Sequence, residues 1–205
     1  MYKAERLNSI THLIGAAGSL VGLVVLVVMA SRQGDPWKVV SFSIYGSTLL
    51  ILYMFSTLYH SLPGKAKVVF RKLDHNAIYL LIAGSYTPFA LVTLRGGWGW
   101  TIFGITWGCA ILGIVLDSLP QKGRRILPVI SYVLMGWLVL IAVKPLLQVF
   151  PRAGIAWLFW GGVFYTSGVL FYALDSRHRY FHGIWHLFVL AGSICQYFSV
   201  LLYIA

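Results

Sequence analysis

Seven apolar runs follow one another along the chain, at about 9–30, 39–61, 75–94, 98–118, 126–147, 154–174 and 183–204. Each is close to the roughly 20 residues that a helix needs to cross a bilayer. The breaks carry turn and loop residues: Gly34-Asp35-Pro36, Leu62-Pro63-Gly64, Arg95-Gly96-Gly97, Leu119-Pro120-Gln121-Lys122-Gly123 and Phe150-Pro151-Arg152. The expected fold is all-α, a single membrane domain over residues 1–205 built as a bundle of seven transmembrane helices. The fifth run is the weakest, because Lys144-Pro145 interrupts its end, where a lysine can snorkel to the interface. Gly15, Gly18 and Gly22 in the first run suit close helix–helix contact. The first run is too long, and too poorly followed by small residues, for a cleaved signal.

Composition agrees with this reading. The chain is 59% hydrophobic and 10% charged, whereas soluble domains carry about 25% charged residues. The net charge of +11 comes from 16 Lys and Arg against 5 Asp and Glu. These bases sit in short loops between apolar runs, not on one exposed face, which argues against nucleic acid as a partner. Membrane lipids, with anionic headgroups on the cytoplasmic side, are the expected partners. Cys109 and Cys195 fall inside separate apolar runs and read as small core residues.

Charge also orients the chain. Lys3, Arg6, Lys65, Lys67, Arg71, Lys72, Lys122, Arg124, Arg125, Arg177 and Arg179 fall on one side, and Arg32, Lys38, Arg95, Lys144 and Arg152 on the other. Eleven against five predicts a cytoplasmic N-terminus and an outside C-terminus, in the cell inner (plasma) membrane. Trp37, Trp98, Trp100, Trp157 and Trp160 then gather at the outer interface as an aromatic belt.

With this topology all six histidines fall at one membrane face. Glu5, Asn8 and His12 share a face at the start of the first helix. Ser56 and His60 lie four apart at the end of the second, and Asp74, His75 and Asn76 open the third. Asp117 closes the fourth, and His182 and His186 open the seventh. Positions four apart share one helix face, and intramembrane polar groups are usually functional. His60, His182 and His186 are the best trio for a metal ion, since three imidazoles with one open position are the ligand set of catalytic Zn2+. Asp74 can then orient or deprotonate the attacking water, and Ser56 can hydrogen-bond that water or a substrate carbonyl. Other roles compete. Asp74 is a good N-cap, Ser56 can bond back to its own helix, Glu5 and Arg6 can form a solvated pair, and His178 lies in the basic loop.

These residues carry a family resemblance. The matching motifs are Glu5-x-x-Asn8-x-x-x-His12, Ser56-x-x-x-His60, and Asp74-His75-x-x-Ile78 running to Gly84-Ser85-Tyr86-Thr87-Pro88. The last is His182-x-x-x-His186 followed by Leu187-x-Val189-Leu190-Ala191-Gly192-Ser193. Over nearly its whole length the chain resembles the bacterial hemolysin III group of the progestin and adipoQ receptor (PAQR) superfamily. The resemblance implies a seven-helix bundle with zinc near the cytoplasmic side, held by His60, His182 and His186, with Asp74 and Ser56 beside it. Glu5, Asn8 and His12 stand as candidate supporting groups. One departure is Gln196, where many relatives carry a further histidine. The superfamily resemblance implies a membrane hydrolase acting on a lipid amide or ester. Two alternatives stand beside it: a channel or cytolysin, as the family name implies, and a sensor of membrane composition with a structural metal.

Overall fold

The computed structural model describes residues 5–119 and 125–205. Lys3, Lys122 and Arg124 of the charge count, and the 120–123 part of the fourth break, lie outside the described residues. Among the described residues every regular element is helical, and seven spans are long and apolar enough to cross a membrane. They are α1 (Arg6–Gln33), α2 (Pro36–Ser61), α3 (Gly64–Pro88), α4 (Gly97–Ser118), a fifth span in two pieces, α7 (Arg152–Ala173) and α8 (Phe181–Tyr203). The pieces of the fifth span are α5 (Ile126–Gly136) and α6 (Val143–Val149). Local chemistry sets several ends. Gly34 closes α1 in the left-handed region at φ 70°. The next residue, Asp35, caps α2 by accepting from the N–H groups of Trp37 and Lys38 at 2.9 and 3.3 Å, with Pro36 at the first helical position.

Two spans differ from their expected bounds. The third helix starts at Gly64, not at 75, and its α-helical part ends at Pro88 with a π-helical turn over Phe89–Thr93. Residues 65–73 are too basic to score as apolar, yet they contain neither glycine nor proline, and their Lys, Arg, Ala and Leu residues are good helix formers. Asp74 therefore sits in the third turn of α3, and neither it nor His75 and Asn76 opens the helix. This removes the N-cap role for Asp74. The fifth helix, expected as continuous over 126–147, is broken instead between Gly136 and Val143 by a 3-10 segment, Leu138–Ala142. Lys144-Pro145 is not the cause, because it lies in the first turn of α6, where proline is tolerated.

Tyr86 on α3 repairs this break. Its hydroxyl accepts from the Val139 N–H at 2.8 Å and donates to the Gly136 carbonyl at 2.7 Å. Tyr86→Phe leaves both backbone groups unpaired in an apolar setting. A loss of about 2 kcal/mol or more is expected, read as a lower unfolding temperature in detergent.

The core lies where α1 packs on α2, α2 on α3, and α7 on α8, around Phe42, Tyr45, Leu26, Tyr53 and Val200. Glycines allow these approaches. Gly15 faces the Tyr53 ring and Gly22 the Tyr197 ring, with Cβ atoms there meeting carbons at 2.6 and 2.8 Å. The expectation fails for Gly18, where an added Cβ would meet nothing within 4 Å among the described residues. At Gly84 a Cβ would run into Thr48 Oγ1. Thr48 is buried, and β-branched side chains are stiff. Gly84→Ala is expected to push α2 and α3 apart and cost about 1–3 kcal/mol, again read by thermal unfolding.

Candidate metal centre

Three helix ends meet to form the site. α2 brings His60 in its last turn, α8 brings His182 and His186 in its first two turns, and α1 lays Asn8 and His12 alongside. Ring centroids of His60 and His182 lie 5.1 Å apart, those of His60 and His186 4.9 Å, and those of His182 and His186 4.9 Å. Each of the three offers one ligand atom, and these atoms all lie within 4.8 Å of one another. The i, i+4 pair of α8 and the terminal histidine of α2 thus converge as the sequence spacing predicts.

The hydrogen bonds decide which nitrogen each ring presents. His60 Nδ1 lies 2.7 Å from Glu5 Oε2, His182 Nδ1 3.1 Å from Asp175 Oδ2, and His186 Nδ1 3.2 Å from the Asn8 carbonyl oxygen. Carboxylates and carbonyls accept, so each imidazole donates from Nδ1 and keeps its lone pair on Nε2. Metal-ligating histidines ordinarily anchor their second nitrogen in this way, which fixes tautomer and ring orientation. The His60 Nε2 is buried without a hydrogen-bond partner among the described residues. A buried imidazole nitrogen left so is costly unless something binds it. The donor set therefore fits a divalent metal ion of the zinc type, with His60 and His186 buried and His182 about a quarter exposed.

Glu5 is held from several directions. His60, together with Lys67 at 2.9 Å and Asn8 at 2.8 Å, keeps its carboxyl well below the ordinary range despite the opposing effect of partial burial. It is not paired with Arg6 as a solvated couple. Across the bundle, Arg125 pairs with Asp117, and Tyr132 bonds the His75 carbonyl at 3.2 Å.

His12, Ser56, Asp74, His182 and His186 line one cavity of 280 Å³ that runs down between the helices to Leu146, Ile155 and Gln196. Asp74 lies beside Ser56, whose buried Oγ makes no hydrogen bond back to its own helix. His12 stacks on His186, with centroids 3.7 Å apart and planes 13° from parallel, and stands outside the converging set. Both of its ring nitrogens are without partners among the described residues. His75 packs against Tyr59 rather than joining the trio, and His178 is exposed against Phe181. Both cysteines are free.

Sequence reasoning missed Asp175, which orients His182 from the loop before α8. A signal was present. Of the five acidic residues, only Asp35, a helix cap, lies away from the histidine end, while Glu5, Asp74, Asp117 and Asp175 all gather there.

Known proteins resemble this chain over nearly its full length. The family model described as "Haemolysin-III related" matches residues 1–197. The chain is 44% identical over 203 residues to "Hemolysin-3" of Bacillus cereus, covering 98% of this chain and 92% of that one. It is 45% identical over 202 residues to "Hemolysin-3 homolog" of Bacillus subtilis (strain 168), covering 98% and 94%. A more distant relative is the human "Monocyte to macrophage differentiation factor", 26% identical over 203 residues, with 96% and 83% covered. Seven spans, a three-histidine cluster and matches along nearly the full length lead to one assignment: this chain is a multi-pass membrane protein that belongs to the haemolysin III-related family.

Proposed function

We propose that the protein is a zinc-dependent hydrolase that cleaves an amide or ester of a membrane lipid, with its site at the cytoplasmic end of the bundle. The observation that carries this reading is the convergence of three histidines, each with its Nδ1 against an acceptor, which leaves Nε2 as the nitrogen free for a metal. Three protein ligands leave one position open, as in catalytic zinc sites, whereas structural sites close with a fourth. Zinc held there supplies Lewis acidity toward a carbonyl oxygen and favours a nucleophile at neutral pH.

The chain's own residues supply the rest. Asp74 takes a proton from the attacking water as its oxygen bonds to the acyl carbon, then returns it to the leaving nitrogen or oxygen as that bond breaks. Ser56 hydrogen-bonds the substrate carbonyl. The lower cavity, walled by Leu81, Phe89, Val139 and Ile155, accepts the acyl chain. That apolar wall favours a lipid chain over a water-filled pore, which needs polar lining along its depth. The cytoplasmic placement rests on the eleven-to-five distribution of basic residues.

The test is purified protein in liposomes, loaded with zinc and offered a panel of N-acyl and O-acyl lipids, with released fatty acid read by mass spectrometry. Release that a chelator abolishes and zinc restores is expected. Zinc-loaded protein that releases no acid from any of them would favour a sensor with a structural metal.

A further inference from the structure

We propose that the floor of the cavity is a second polar subsite, built on Gln196, that binds an oxygen carried part-way along an acyl chain. This rests on reading the cavity as an acyl chamber. Gln196 lines the cavity on α8, ten residues after His186, or about 15 Å farther along the helix. Leu146, Ile155 and Leu158 line the same cavity. A primary amide has two N–H donors and an oxygen with two lone pairs. Among the described residues Gln196 makes one long hydrogen bond, from Nε2 to the Leu158 carbonyl at 3.4 Å. Its carbonyl oxygen and second N–H are left for whatever enters. Polar groups in the membrane interior are expensive unless partnered, so an amide kept there calls for a partner.

The neighbouring helix α7 is shaped around this amide. A Cβ at Gly161 on α7 would lie 2.8 Å from Gln196 Nε2 and 3.2 Å from its Cδ. Glycine at 161 therefore gives the amide its seat against α7. A ligand whose acyl carbon sits at the histidines and whose chain descends along α8 meets Gln196 at mid-chain. The chemical class that satisfies both ends is a fatty acyl group bearing a mid-chain hydroxyl or keto oxygen. A plain chain would leave the amide unpaired and would be disfavoured for that reason.

Two probes test this against wild type, Gln196→Leu and Gly161→Ala in lipid nanodiscs: octadecanoic acid and its mid-chain hydroxy derivative, each measured by displacement of labelled octadecanoic acid. Wild type is expected to bind the hydroxy acid about fivefold more tightly than the plain acid. Gln196→Leu should reverse that order, and Gly161→Ala should shrink the preference by displacing the amide. Equal affinities for both probes in wild type would overturn the subsite while leaving the acyl chamber intact, and would reduce Gln196 to a helix–helix contact. Binding of neither probe would remove the chamber reading and the subsite with it. Gly161→Ala keeps its native Gln196, so the comparison survives if Gln196→Leu fails to fold.

Discussion

Asp74→Asn is expected to keep its metal and lose its turnover. The carboxyl stands in the third turn of α3, on the wall of the cavity that His182 and His186 also line, and outside the converging set of ligand atoms. It orients none of the three histidines, since those acceptors are Glu5, Asp175 and the Asn8 carbonyl. Asparagine preserves the shape and the hydrogen-bonding reach toward Ser56 but cannot take a proton. General acid–base groups contribute about 10²–10⁴-fold in rate, so hydrolysis should fall by about that factor while zinc content per chain stays at the wild-type value. Both quantities are measured on the same preparation. Metal loss in this variant would make Asp74 a ligand and the site structural. Unchanged turnover would place the base elsewhere.

The second large effect is on metal affinity at the residues behind the ligands. Removing an acceptor that orients a ligating histidine typically costs 10–100-fold in affinity or activity. Glu5→Ala and Asp175→Ala should each weaken zinc binding by about that range, read by competition with a chromophoric chelator. The Glu5 change should be the larger. His60 is 2% exposed, so water cannot replace the lost acceptor, whereas His182 is 26% exposed and Asp175 37%. Glu5→Ala also strips Lys67 and Asn8 of a shared partner. Gel filtration separates loss of affinity from loss of fold. Affinities unchanged in both variants would show that the Nδ1 contacts do not orient the ligands.

Hydropathy located every span because the bilayer imposes a length and a polarity that few other constraints blur. It failed where chemistry other than apolarity builds helix. The three turns from Gly64 to Leu73 are helical, yet their Lys and Arg residues hide them from a hydropathy reading. The break after Gly136 was equally hidden, because its repair comes from Tyr86, some 50 residues away in sequence. The three-histidine cluster was legible for a local reason: His182 and His186 share a helix face, and His60 ends its helix beside them. What holds them was legible only in part. Glu5 and Asn8 were suspected from their spacing with His12, but their true partners, His60 and His186, depend on how α1 packs against α2 and α8. Asp175 sits in a loop, where no periodicity reports which histidine it will meet.

Whether three histidines on α2 and α8 hold one metal ion is read most directly from metal content by mass spectrometry on detergent-purified protein. Wild type should carry close to one zinc per chain, and the His182→Ala, His186→Ala double variant should carry none while still eluting as folded protein. Wild type prepared without chelator and found free of metal, or a double variant that keeps its zinc, would contradict a three-histidine metal site.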